Sequence, residues 1–252
     1  MAILSRDGIS IYYEVHGTGQ TVLLSNGFSG STQTWAGQIR PLSEEYQVIV
    51  WDMRGHGQSD APDDASLYTR DATIGDMLAL LEEVGASEAH IGGHSLGGYL
   101  SIEAYRRHPE IFKSLLLLNT GPGFRKDEAR DGWNAQCQKD AEKFEKRHAE
   151  QMALPTNERR KGNHRSLMGV ARAARGILPQ DDAKVIETLP HIAVPALVLV
   201  GDQDHAFKNA AEYMSIKIPK ATSVVIKDAG HNASMDQPDT VTDAVLEFLG
   251  TI

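Results

Sequence analysis

The stretch Gly92-Gly93-His94-Ser95-Leu96-Gly97-Gly98 sets a single hydroxyl between two pairs of glycines. An apolar run, Ala89-His90-Ile91, leads into it, and a helical pattern (Tyr99, Leu100, Ile102, Ala104) follows, so a strand, a tight turn and a helix are expected. A serine hydroxyl is a weak nucleophile; to attack it needs a base, an exposed position and donors for the oxyanion it creates. A sharp turn would lift Ser95 above the end of a sheet on a strained backbone with φ above zero. Gly93 and Gly97 suit such a turn, since a Cβ at either place would collide across it. The N-terminus of the following helix would aim its unpaired N–H groups at the same point, an end that favours negative charge. Alone, Gly-x-Ser-x-Gly occurs by chance in many chains; the flanking strand and helix give it weight.

The surrounding elements can supply that frame. Alternating or continuous apolar runs predict strands at 9–15, 21–25, 46–51, 89–93, 112–118, 192–200 and 223–226. Helices are predicted at about 32–42, 72–84, 95–107, 209–216 and 240–249. Strands alternating with helices predict an α/β chain with a mostly parallel central sheet, helices on both faces and an antiparallel pair at one edge. Residues 124–176 break the rhythm: they carry charged helical sequence and a Pro155-Thr156-Asn157 break, without a buried-strand run. They are expected to form a small helical cap inserted between core segments 1–123 and 177–252.

Composition excludes several classes of function. The 252 residues, 41% apolar and 23% charged, suit one α/β domain with a modest insertion. A formal net charge of −9 should repel nucleic acid and anionic membranes. Cys137 is the only cysteine, so no internal disulfide or thiolate metal cluster can form. The start lacks a signal-peptide core and no stretch has membrane-spanning length, so a cytoplasmic location is expected. Ten histidines are present, yet none has a paired ligand spacing with a carboxylate on one helical face, so no metal is expected. Nor does a Gly-x-Gly-x-x-Gly follow the first strand, which argues against a nicotinamide cofactor. Oligomeric state leaves no readable pattern.

In an open parallel sheet the working residues sit at the carboxyl ends of strands. Four predicted strand ends carry polar or glycine-rich sequence: Asn26-Gly27-Phe28, Ser95, Gly201-Asp202-Gln203-Asp204 and Gly230-His231. With Asp52-Met53-Arg54-Gly55-His56-Gly57-Gln58-Ser59-Asp60, these pieces make the chain resemble the α/β-hydrolase superfamily, esterase- and lactonase-like, along nearly its whole length. The resemblance implies an α/β-hydrolase fold and a triad of Ser95, Asp204 and His231, with the backbone N–H groups of Phe28 and Leu96 binding the oxyanion. Asp202 competes with Asp204 for the acid's role, and the family pattern, with Asp at the third place after the glycine, favours Asp204. Asn119, where some relatives keep their acid, has no carboxylate, which supports the same choice. Many relatives have His-Gly where this chain has Asn26-Gly27, and Ser25-Asn26 is reminiscent of enol-lactone hydrolases.

Other residues receive structural readings. His94 is expected to point away beneath the turn as packing, His56 to pin its own loop, and Asp52 and Arg54 to brace. Candidate pocket residues are Asn26, Trp133, Leu167, Met168 and His205, the last able equally to start a helix. The basic stretch 159–165, followed by Arg172 and Arg175, could guide an acidic substrate. The apolar stripe Leu167, Val170, Ala171 and Ala174 instead leaves Arg165 and Arg172 on a solvated face.

The expected activity is cofactor-free hydrolysis of a small-molecule carboxylic ester or lactone through an acyl-enzyme. Carbon–carbon cleavage of a diketone-type substrate, a ligand receptor with little turnover, and oxygen or lyase chemistry in the same pocket are the alternatives. Serine at the turn argues against haloalkane dehalogenase or epoxide hydrolase chemistry, because those relatives use a carboxylate nucleophile.

Overall fold

The computed structural model describes residues 2–158 and 162–252. Eight strands form one sheet: β1 (Ala2–Arg6), β2 (Ile9–His16), β3 (Gln20–Ser25), β4 (Tyr46–Trp51), β5 (Ala89–His94), β6 (Phe112–Leu118), β7 (Ala196–Gly201) and β8 (Ala221–Ile226). Their spatial order is β1-β2-β4-β3-β5-β6-β7-β8. Strands β1 and β2 pair antiparallel through the Asp7-Gly8 turn, and β2 runs antiparallel to β4. From β4 across to β8 every pairing is parallel.

The helices are α1 (Ala36–Leu42), α2 (Arg70–Glu83), α3 (Leu96–Arg107), α4 (Asp127–Ala153), α5 (Leu167–Gly176), α6 (Lys184–Thr188), α7 (Lys208–Lys217), α8 (Ala233–Asp236) and α9 (Pro238–Leu249). The helix predicted over 32–42 is divided, with a 3₁₀ turn at Thr32–Trp35 preceding α1. Among the described residues no helix is long and apolar enough to cross a membrane.

Strand periodicity builds two apolar layers, because successive side chains point to opposite faces. On one face Leu23, Ile49, Ile91, Leu115, Leu117 and Val198 pack with Met77, Leu80 and Leu100 of α2 and α3. On the other Val22, Leu24, Val48, Val50, Leu116 and Leu197 pack with Leu42, Val241, Val245 and Phe248 of α1 and α9. Both faces are thereby closed to water, which explains why the central strands read as unbroken apolar runs.

Between β6 and β7 the chain passes through α4, α5 and α6. The first two pack on each other, with Ala141 against Ala171 and Ala174. Small residues at that contact let the helices approach closely. Helix α4 ends at Ala153, before Pro155, which lacks the N–H that a continuing helix would need.

Candidate active site

Strand β5 delivers Ser95 to the carboxyl edge of the sheet. Its backbone there has φ 51° and ψ −114°, a strained conformation at the junction with α3. The strain is held by close packing of glycines. A Cβ on Gly93 or on Gly97 would stand 2.3 Å from the carbonyl oxygen of Ser25 in the neighbouring strand. The Ser95 amide donates to the Leu118 carbonyl at 3.0 Å, and Thr120 Oγ1 donates to the Ser95 carbonyl at 2.6 Å, so the turn is tied to β6 from both sides.

The loops after β7 and β8 bring in the other two side chains. His231 Nε2 lies 3.1 Å from Ser95 Oγ, and His231 Nδ1 lies 2.8 Å from Asp204 Oδ2. Asp204 is buried, whereas the His231 side chain is 38% exposed, so the imidazole alone reaches the opening. Burial pushes the Asp204 carboxyl up, but the hydrogen bonds from His231 and Asn119 outweigh it and hold the group below the usual carboxylate range. Asp202 sits elsewhere: its Oδ1 accepts from the Ala229 amide at 3.3 Å and braces the loop.

Phe28 lies in the loop after β3, next to Gly27, where an added Cβ would stand 3.1 Å from Ser95 Cβ, and Leu96 opens α3 directly after the serine. Among the described residues neither backbone amide donates to a protein acceptor. Asn26 is fully buried and donates to the Gly27 carbonyl at 3.1 Å, holding the bend before Phe28. The Phe28 ring stands edge-on to His56 and to Phe144 of α4.

One sequence reading, that of the pocket, requires correction, and two others take specific form. His94 is buried, as expected of a packing residue, and its Nε2 donates to the His231 carbonyl at 2.7 Å with its ring centroid 4.7 Å from that of His231. The cavity that opens beside Ser95, about 200 Å³, is lined by Trp133 but not by Asn26, Leu167, Met168 or His205. Asn26 is enclosed under its loop, and Met168 is partly buried against the cluster of Ala141, Ala171 and Ala174 between α4 and α5, with Leu167 half-buried next to it. His205 is exposed beside Asp204, and the following Ala206 and Phe207 line the cavity in its place. Finally, Arg165, Arg172 and Arg175 are paired with Asp60, Asp63 and Glu145 at 2.8, 2.9 and 3.0 Å; residues 159–161 of the basic stretch lie outside the described residues.

The bracing roles read for Asp52, Arg54 and His56 correspond to specific contacts. Asp52 accepts from the Thr32 and Gln58 amides at 2.7 Å each. Arg54 is buried in a fork with Asp76 at 2.5 and 2.8 Å, and His56 Nδ1 donates to the Arg54 carbonyl at 3.0 Å. Sequence reasoning missed Phe207, whose ring stacks on His231 at 4.8 Å and 19°, and the grip of Asn119 on Asp204. Only the place of Phe207, three residues after Asp204, hinted at contact.

A strained serine turn between a parallel strand and a helix, with histidine and aspartate supplied in that order of reach by later strand ends, defines a sheet-based hydrolase class. The chain belongs to the alpha/beta hydrolase fold family, whose match spans residues 20–174. It is 25% identical to 3-oxoadipate enol-lactonase 1 of Acinetobacter baylyi over 99% of this chain and 97% of that protein. A thermophilic esterase from Thermogutta terrifontis is 29% identical, with a TM-score of 0.81 over 99% of this chain and 98% of that one. An epoxide hydrolase of Caballeronia sordidicola is 38% identical over 117 residues, which are 46% of this chain and 36% of that protein, so this match spans about a third of the relative's length.

Proposed function

We propose that the chain is a serine hydrolase that cleaves a small carboxylic ester or lactone through an acyl-enzyme. The observation that carries this reading is the continuous relay from Ser95 Oγ to His231 (3.1 Å) to Asp204 (2.8 Å) at the mouth of a cavity. Ser95 attacks the acyl carbon while His231 Nε2 takes its proton; Asp204 keeps the opposite ring nitrogen protonated and stabilises the imidazolium that forms. The Phe28 and Leu96 amides receive the oxyanion, aided by the N-terminal end of α3. His231 returns the proton to the leaving group, then activates water for the second half of the reaction. The enol-lactonase and esterase relatives, matched over nearly the whole chain, support an oxygen ester as the bond cleaved. The epoxide hydrolase match carries less weight, because it is partial and the attacking position here is a hydroxyl rather than a carboxylate.

Turnover of a simple p-nitrophenyl ester tests the proposal. The native chain should release many equivalents of p-nitrophenol, and Ser95→Ala should abolish release while leaving the circular dichroism spectrum unchanged. Full activity in the Ser95→Ala protein would overturn it.

A further inference from the structure

The side chains that bound the cavity beside Ser95 carry no formal charge. Tyr99, Pro122, Phe124, Trp133, Leu178 and Phe207 supply most of the wall. Its polar groups are largely engaged already. Trp133 Nε1 donates to the Leu178 carbonyl at 3.1 Å, Gln180 Oε1 accepts from the Phe124 amide at 3.1 Å, and Thr120 Oγ1 is bound to the Ser95 carbonyl. Tyr99 Oη and the Gln180 side-chain amide nitrogen are left, both uncharged, and burial raises the phenol's pKa further.

Among the described residues, several nearby arginines have partners of their own. Arg70 pairs with Glu103 and Asp181, and Arg130 with Asp127. Arg165, Arg172 and Arg175 have the acidic partners named above. Arg125, which follows Phe124 at the rim, is exposed and donates outward to Tyr213 Oη at 3.4 Å. A carboxylate drawn into this recess would give up its water without meeting a cation, a penalty that a hydrocarbon does not suffer.

Resting on the ester or lactone hydrolase reading, we infer that the cavity selects substrates whose variable group is an uncharged hydrocarbon and rejects those that carry a carboxylate there. Arg165, Arg172 and Arg175 therefore do not guide an anion into this recess; they are spent on ion pairs that fasten helix α5 and the loop before it to their neighbours. Specificity comes from apolar area buried at the end of the chain that reaches past Tyr99 and Trp133.

Two substrate series test this: p-nitrophenyl esters of lengthening straight-chain acids, and acetate esters of lengthening straight-chain alcohols, each with a matched member ending in a carboxylate. In one series kcat/KM should rise about fourfold per methylene until the cavity is full, the effect of burying a CH₂ group. In that series the matched carboxylate should lower kcat/KM by about tenfold or more. Ala210→Phe, on the cavity wall and half-buried, should end the rise at a shorter chain. Flat profiles in both series, or a carboxylate accepted as well as its neutral counterpart, would overturn the inference while leaving a Ser95-dependent hydrolase intact. Absence of turnover with every ester would overturn the hydrolase reading and this inference together.

Discussion

Asn119 Nδ2 donates to Asp204 Oδ2 at 2.8 Å, the same carboxylate oxygen that His231 Nδ1 approaches at 2.8 Å. The amide also reaches the Gly230 carbonyl at 3.1 Å, so one side chain directly after β6 spans the loops that carry the acid and the histidine. Its backbone, at φ 47°, is bent to allow this.

Asn119→Ala should therefore cost activity without touching substrate. A hydrogen bond to a charged group contributes about 1.5–3 kcal/mol, so kcat should fall by about tenfold to a hundredfold while KM changes little. Steady-state kinetics on one aryl ester decides it. An unchanged kcat would show that Asp204 is positioned without this contact.

His94 is expected to act in the same indirect manner. Removing the bond from its Nε2 to the His231 carbonyl frees the loop that holds the imidazole, and His94→Ala should lower kcat by about fivefold to tenfold. Comparing kcat with KM, and the thermal midpoint with that of the native chain, separates lost positioning from lost stability.

Gly93→Ala should be more damaging to the fold than to any contact with substrate. The added Cβ would meet the Ser25 carbonyl oxygen at 2.3 Å, and that atom belongs to β3 and cannot swing aside. Overpacking of this kind costs about 1–3 kcal/mol or more, which lowers Tm by about 3–10 °C in a chain of this size. A calorimetric midpoint equal to the native one would contradict the close packing described at the turn.

His164 links the segment before α5 to the loop that bears Phe28. Its Nδ1 accepts from the Gly57 amide at 2.9 Å and its Nε2 donates to the Ser29 carbonyl at 3.1 Å, an arrangement that only the neutral ring can make. His164→Ala should reduce kcat severalfold by loosening the Phe28 amide, an effect on the order of one lost hydrogen bond. Loss confined to KM would instead place the residue in substrate binding.

Acid should destabilise the protein as pH falls below about 6.5. Burial lowers the pKa of His56, His90 and His94 to about 4 from an ordinary 6.5; repulsion from a second histidine adds to this at His56 and His94, and from Lys113 at His90. In the unfolded chain these rings take up protons below 6.5, and in the folded chain only near 4, so the unfolded state binds more protons between those values. The stability these neutral rings contribute is full above pH 6.5 and is lost as pH falls through 6.5 towards 4. Tm measured against pH should drop steeply across that window; a flat profile would mean that the rings are not buried in neutral form.

Much of this molecule can be read directly from the order of its residues. The unbroken apolar runs of β3 to β7 and the glycines around Ser95 are local signals, because a strand closed on both faces and a turn without room for Cβ leave their mark at the positions concerned. The order of serine, aspartate and histidine along the chain is likewise visible, as is Asp204 over Asp202 once the family pattern is applied. Which side chains meet across separate strand ends is not written in any local pattern. Nothing local marks Asn119 as a partner of Asp204, or His94 as a donor to the His231 carbonyl, because the loops after β6, β7 and β8 make those contacts only in the folded chain. The pocket was misread for the same reason: amphipathic spacing marks the apolar side of α5 but cannot say whether that side meets a cavity or another helix. Tertiary packing set Met168 against the alanine cluster between α4 and α5, and left Tyr99, Leu178 and Phe207 to line the recess, since that outcome depends on how helices far apart in sequence come to rest on the sheet.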